Sequence, residues 1–442
     1  MDRYEPKQPR TFVACPPASA THRAARARLL DSPTTDSRLR NRVFALLIIA
    51  AIGLVTIPDL ITYLKVEHSP ILPPGEAAAA SDLPIAQLAS LAGSALLLAL
   101  SAVVVLMRGH PDRDITGVSI LVLATNLPYL LSPELPPLVD VPKLLLANTF
   151  VLAIWNLGAP VAGLKWLPVT VSVISVYALI GGLLLPKYMM YNPDSEKALI
   201  AGWELAGPFG HANVLGMYCA LSFALVPLIE QPRWRLLIGS ILFVTVIASA
   251  SRTALISTSL IALWWLICCF RSTISVRLAG TFLVTLAATT MFVLPFADWD
   301  PDSFTGRAHV WAESIRVWEQ SPVFGMGVNW FLDTAQASAN VAKWAFVGTG
   351  HNMVIDTLVK SGLLGLAVLV PLLVAAVAAT RALRITSQQI ACFGFLMAFF
   401  VAATTEAVWA LLPNLQLFPI SGMVFAVLVM SRRGDRSAGE QL

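Results

Sequence analysis

His351 and Asn352 stand at the mouth of a long apolar run, with Gly362 and Gly365 further along it. They follow a polar, Trp-rich stretch in a chain that is otherwise strongly apolar. An imidazole where an aqueous loop meets a lipid-embedded helix suits proton transfer on a substrate with a polar head and an apolar tail. Three other groups invite the same attention: His211, Arg252 and Arg307. Arg252 lies in a tight turn, Ser251-Arg252-Thr253, between two apolar runs. Arg307 opens an amphipathic segment, where a cation opposes the helix dipole by a few tenths to about 1 kcal/mol, so an anionic partner is expected nearby. Two guanidinium groups and an imidazole facing one another would suit a diphosphate. Arginine makes forked, charge-assisted hydrogen bonds to phosphate oxygens and neutralises the charge that builds as the group departs. An imidazole that takes the proton of an acceptor hydroxyl contributes typically about 10²–10⁴-fold. No Asp/Glu cluster or His/Cys set has metal-ligand spacing, so neither a metal nor another cofactor is expected. Glu204, Asp356 and Glu406 read mainly as structural carboxylates, with orientation of a sugar or of the histidine as the lesser option.

Each candidate has a plainer reading. His211 can simply begin a helix, and Arg252 can snorkel to headgroups. Trp299, Trp311, Trp318, Trp330 and Trp344 read first as an interfacial aromatic belt and second as a surface that stacks on sugars. Trp311, His211, Asn213 and Asn352 are the residues assigned to substrate contact.

The elements that must position these groups are helices in a membrane. Of 442 residues, 57% are hydrophobic and 13% charged, about half the charge of a soluble domain. Apolar runs repeatedly approach or exceed the ~18–20 residues that cross a bilayer. The net charge of +4 is too small to argue for nucleic acid. The five cysteines show no disulfide framework, and no cleavable signal segment is visible, since the first apolar run begins near Val43.

The expected fold is an all-α polytopic membrane protein of about 12 transmembrane helices: 43–63, 85–107, 115–132, 143–163, 166–185, 212–230, 235–250, 253–270, 278–296, 353–380, 388–408 and 413–430. Residues 1–41 form a disordered, basic, cytoplasmic tail, 42–431 the membrane domain, and 432–442 a second cytoplasmic tail. With both ends cytoplasmic, the inside connections hold fifteen Lys and Arg against eight outside, as the positive-inside rule requires. Two outer connections are long, 186–211 and 297–352. In the second, Thr305-Gly306 starts a helix that stops before Ser321-Pro322. Ala308, Trp311, Ile315 and Trp318 make one apolar stripe on it, expected to lie flat on the membrane surface.

In order along the chain, Gly207-Pro-Phe-Gly-His211-Ala-Asn213, Ser251-Arg252-Thr253, Thr305-Gly306-Arg307 with Trp311, Ser321-Pro322-Val-Phe-Gly325-Met-Gly327, and His351-Asn352 with Gly362 and Gly365 resemble the O-antigen ligase family of bacterial membrane glycosyltransferases, which includes O-antigen polymerases. The likeness covers roughly residues 200–430; the first 200 resemble the family only in having apolar spans. It implies a C-type glycosyltransferase fold. It also implies metal-independent, inverting transfer of a glycan from a polyprenyl diphosphate to an acceptor hydroxyl at the outer face of the cytoplasmic membrane. Arg252 and Arg307 match the family's diphosphate-binding arginines, and His351 its proposed base. The implied partners are a polyprenyl-diphosphate-linked glycan donor, a glycan or lipid-glycan acceptor and membrane lipids. The basic, Pro-rich N-terminal tail is not a family hallmark. Ligase, polymerase and protein transferase stay distinct options. Outside the enzyme reading, a transporter or flippase is disfavoured by spans nearly free of charge in their middles, and a non-catalytic scaffold would use the Trp-rich loop for docking.

Overall fold

A computed structural model describes residues 35–66, 68, 83–107, 115–132, 141–191, 198–199, 202–270, 275–331, 348–408 and 417–430. The tail up to residue 34, the tail 432–442 and Trp344 lie outside the described residues. The chain is built of helices: α1 Thr35–Tyr63, α2 Pro84–Leu106, α3 Ile115–Leu130, α4 Val141–Leu157, α5 Trp166–Leu184, α6 Ala212–Ala224, α7 Pro232–Ser249, α8 Arg252–Cys269, α9 Val276–Val293, α10 Arg307–Trp318, α11 Met353–Ala382, α12 Thr386–Thr405 and α13 Gly422–Met430. Strands β1 Met190–Tyr191 and β2 Glu204–Leu205 pair antiparallel between α5 and α6.

Eight of the described helical segments are long and apolar enough to cross a bilayer. Three shorter apolar helices, α3, α4 and α6, and α13 fall on the remaining segments expected from the sequence. This is a polytopic helical membrane protein. α1 begins at Thr35, inside the segment expected to be tail. A 3₁₀ turn, Val161–Lys165, joins α4 to α5, where the sequence offered only a Gly-Leu-Lys break.

α12 is the axis of the second half, packed against α6, α8, α9 and α11. Phe393, Phe395, Phe399 and Phe400 are buried along it. Gly280 of α9 leaves room for Phe393, whose ring a Cβ there would meet at 2.6 Å. On α8, Trp264 donates its indole N–H to the Ile390 carbonyl at 2.9 Å. One end of the bundle is tied by basic residues: Lys165 pairs with Glu230 at 2.9 Å, Arg235 bonds the Ile229 carbonyl, and Arg277 bonds the Leu383 carbonyl at 3.3 Å.

α11 is broken. Its 30 residues would make a straight rod of about 45 Å, against a hydrocarbon core of about 30 Å. Gly362 sits at φ 59°, ψ −155° and splits it into Met353–Ser361 and a second segment from Leu363. Two anchors show the fold-back. Arg277 reaches Leu383, and Asn352 reaches the Met291 carbonyl at 3.1 Å, so the run from 352 to 383 spans the same height as the much shorter run from 277 to 291 on α9. The break frees backbone groups that lipid cannot satisfy. The Ser321–Gly327 turn satisfies them: Leu363 and Leu364 N–H donate to the Pro322 and Val323 carbonyls at 2.9 and 3.2 Å, and Met326 N–H donates to the Val359 carbonyl at 2.6 Å. A Cβ on Gly362 would collide with the Val323 carbonyl, and one on Gly325 would meet the Ser361 amide nitrogen at 2.6 Å. Gly362→Ala is therefore expected to lose the roughly 1–3 kcal/mol of a strained left-handed residue, with further loss from the displaced turn, read as a lower unfolding midpoint in detergent and faster proteolysis between residues 307 and 331.

Candidate functional site

The end of the bundle opposite Lys165 and Arg235 collects the chemistry. At its centre lies a residue the sequence reading left in the background. Glu406 caps the C-terminus of α12, and its carboxylate is 18% exposed. Its Oε1 accepts from Arg307 Nη2 and from Asn213 Nδ2 at 3.4 Å. Its Oε2 lies 3.6 Å from His351 Nδ1, and His211 is close enough to act on it electrostatically. Burial by itself pushes the Glu406 carboxyl up; His351, Arg307 and His211 outweigh that and hold it below the ordinary carboxylate range. The anion expected opposite Arg307 is thus Glu406. The only hint in the sequence was a lone carboxylate closing an apolar span.

Each member is delivered by a distinct local device. Arg307 is the first residue of α10, and the three residues before it, Phe304, Thr305 and Gly306, all have positive φ. Left-handed backbone costs a non-glycine residue roughly 1–2 kcal/mol. The turn is held by Phe304, whose ring packs 5.2 Å from Trp311 and 5.1 Å from Trp299. His351 is itself left-handed, φ 47°, and precedes Asn352, the N-cap of α11.

Asn352 is fully buried. Its Oδ1 accepts from the Val354 and Ile355 N–H groups at 2.8 and 3.1 Å. Its Nδ2 donates to the Met291 and Thr404 carbonyls at 3.1 and 3.0 Å. The expectation that Asn352 touches substrate is corrected: every polar atom of its side chain is spent on bolting α9, α11 and α12 together, two residues short of Glu406. Trp311 is also corrected. It is 1% exposed and packs with Val310, Phe331, Ile355 and Val359 in a second, smaller core, so it offers no face to a sugar. The apolar stripe of α10 faces α11, with Ala308 and Trp311 buried, rather than lying on a membrane surface.

His211 caps α6, its Nδ1 accepting from the Asn213 N–H at 3.0 Å, and its ring lies 4.8 Å from Tyr191. Behind it, His68 Nε2 bonds the Phe209 carbonyl at 3.0 Å and stacks on Tyr63, centroids 4.0 Å apart. Arg252 follows the two-residue turn between α7 and α8, where Ala250 has φ 52° and Ser251 caps α8. That turn presses on α6: a Cβ on Gly216, one turn below Asn213, would lie 2.7 Å from Ser251 Cβ. Next to Arg252, Thr253 bonds Thr405 at 2.9 Å, beside Glu406. Arg252 is exposed, and among the described residues it has no ion-pair partner. Buried Arg307 Nε has no hydrogen-bond partner among the described residues. The arrangement therefore holds two guanidinium groups with donors to spare, and an imidazole whose Nδ1 faces a carboxylate.

Residues 237–370 match the family model described as O-antigen ligase. Arg252, Arg307 and His351 lie inside the match; His211, Asn213 and Glu406 lie outside it. No curated protein matches the chain.

Two outcomes follow. Asn352→Ala leaves two carbonyls and two N–H groups unsatisfied, at about 1–3 kcal/mol each where they stay buried, and should lower the unfolding midpoint more than Asn213→Ala does. Because the folded carboxyl of Glu406 titrates low, its contribution to stability is complete above the ordinary carboxylate range and is lost as pH falls through that range to the lowered value. Unfolding midpoints measured from neutral pH to about pH 3 should decline less steeply in Glu406→Gln than in the wild type.

Proposed function

We propose that this chain, whose O-antigen ligase segment sets it in surface polysaccharide assembly, transfers a glycan from a polyprenyl-diphosphate carrier to an acceptor hydroxyl. The reaction takes place at the outer face of the cytoplasmic membrane, with both termini cytoplasmic, as the bias of basic residues supports. The observation that carries the reading is the clustering of Arg307, His351 and Asn213 on one Glu406 carboxylate, with Thr253, the residue after Arg252, bonded to Thr405, the residue before Glu406.

The diphosphate binds between Arg252, which is exposed and has no ion-pair partner among the described residues, and Arg307, whose Nε has no hydrogen-bond partner among the described residues. Glu406 faces His351 Nδ1 and so favours the tautomer with the proton there, leaving Nε2 as the base. The acceptor oxygen attacks the anomeric carbon, its proton passes to His351 Nε2, and the bond from that carbon to the diphosphate oxygen breaks. The carrier departs as polyprenyl diphosphate, its charge met by the two arginines. Inversion follows from a single displacement.

A lipid-linked donor also fits the neighbouring surface. An apolar groove of about 570 Å³ runs between α9 and α11, lined by Val284, Ala288, Phe292, Val370 and Val374, with Phe400 in its floor. Its upper end, Phe292, adjoins Met291, the residue that Asn352 clamps. A polyprenyl chain laid in it would carry its head directly to the charged cluster.

Arg252→Ala, Arg307→Ala and His351→Ala should each abolish transfer in reconstituted vesicles while the protein still inserts and folds. Arg252→Ala should keep the wild-type unfolding midpoint, whereas Arg307→Ala, which strips Glu406 of its ion pair, should lower it. The His351 variant should lose at least about 10²–10⁴-fold. Full activity in His351→Ala removes the proposed base. Transfer should persist in chelator, and deletion of the gene should remove or shorten one surface glycan.

A further inference from the structure

A second polar site sits beside the first, and nothing above uses it. Asp356 and Lys360, one turn apart on the short half of α11, pair at 2.8 Å with side chains 15% and 19% exposed. They line a cavity of about 90 Å³ between α3 and α11. Ionisable groups in a membrane-embedded helix mark substrate paths more often than packing, and an ion pair is a costly way to fill an interface that apolar residues fill well. Ser361, 1% exposed, lines the same cavity, and its hydroxyl has no hydrogen-bond partner among the described residues. Thr125 and Thr357, also in the wall, spend their hydroxyl protons on helix carbonyls and keep lone pairs to accept with.

The cavity is coupled to the catalytic cluster in two places. Asp356 Oδ1 accepts from the Gly350 N–H at 3.1 Å, the residue before His351. Ala407, next to Glu406, and Met353, two residues after His351, are both in its wall. The α3 side lies outside the O-antigen ligase match, whereas the α11 side up to Leu369 lies within it. A surface composed of the matched segment and a helix from outside it is a natural place for selectivity.

We propose that this cavity is the acceptor subsite, holding the hydroxyl-bearing edge of one sugar ring of a glycan acceptor. The volume matches about three water molecules, enough for two or three hydroxyl groups and too small for an oligosaccharide. Asp356 accepts hydrogen bonds from the sugar, Lys360 and Ser361 donate to it, and the reacting hydroxyl is presented toward His351. The inference rests on the transferase reading above, so its test must fail separately.

The probe is the mixture of water-soluble oligosaccharides released by mild acid from the envelope of a strain lacking the gene. The full-length protein is reconstituted in nanodiscs, and binding of these oligosaccharides is measured without donor. Transfer kinetics are then measured with donor. Ala124→Leu fills the cavity, and Asp356→Asn combined with Lys360→Gln removes both charges without stranding either. Both variants should raise the KM for acceptor at least about tenfold, the equivalent of one lost hydrogen bond to a charged group. The KM for donor and the unfolding midpoint should stay unchanged. An unchanged acceptor KM overturns the subsite, as does a fall in unfolding midpoint with parallel loss of donor and acceptor affinity, which would mark the pair as structural. Transfer by the wild type to a sugar-free protein or lipid also overturns it. Oligosaccharide binding that Ala124→Leu abolishes, in a wild type that moves no glycan, upholds the cavity and sinks the transferase reading.

Discussion

One partly buried carboxylate, that of Glu406, ties the charged cluster of this protein together. Removing an ionised Glu from water is expensive unless partners replace its hydration, and Glu406 finds them on helices far apart in the chain: Arg307 on α10, His351 ahead of α11 and Asn213 on α6. The dependence is mutual. An arginine at a helix N-terminus and a half-buried imidazole are poorly stable among apolar spans, and the carboxylate is what lets them gather there. Glu406 faces His351 Nδ1 and leaves the Nε of Arg307 open, so the resting network keeps a donor without an acceptor among the described residues.

Around that point, polar backbone is accounted for with few loose ends. The kink at Gly362 exposes amide and carbonyl groups at a depth where water is scarce, and the Ser321–Gly327 turn takes them up. This locks α10 onto the short half of α11. Asn352 closes the other side, joining α9, α11 and α12 through four hydrogen bonds. Arg307 and His351 are thereby held by two different clamps that meet on Glu406. The backbone strain at Phe304, Thr305 and His351 is confined to the residues that aim these two side chains, where over-determined packing sustains it.

The broken helix also shapes the surroundings of the charged cluster. The half preceding Gly362 turns back over the site, bringing Asp356, Lys360 and Ser361 to face α3. The half following it runs alongside α9 and frames the apolar groove. A polar recess and an apolar trough thus issue from the same kink, on either side of the charged cluster, as a substrate pair with one sugar-like and one lipid-like component would require.

The sequence by itself determined the membrane character, the helices, and the motif residues worth watching. Those signals are local: apolar run length, the Gly-rich Ser321–Gly327 segment and the helix start at His211 are each read within a few positions. It also foretold that Arg307 needed an anion. Tertiary structure alone decided which anion, because Glu406 lies 99 residues from Arg307 and 193 from Asn213, and no periodicity links them. It likewise decided that Asn352 and Trp311 build the site rather than touch what binds there. An amide and an indole look the same in sequence whether they face a ligand or a neighbouring helix; only packing says that the Asn352 amide is spent on four hydrogen bonds and the Trp311 ring on apolar contacts.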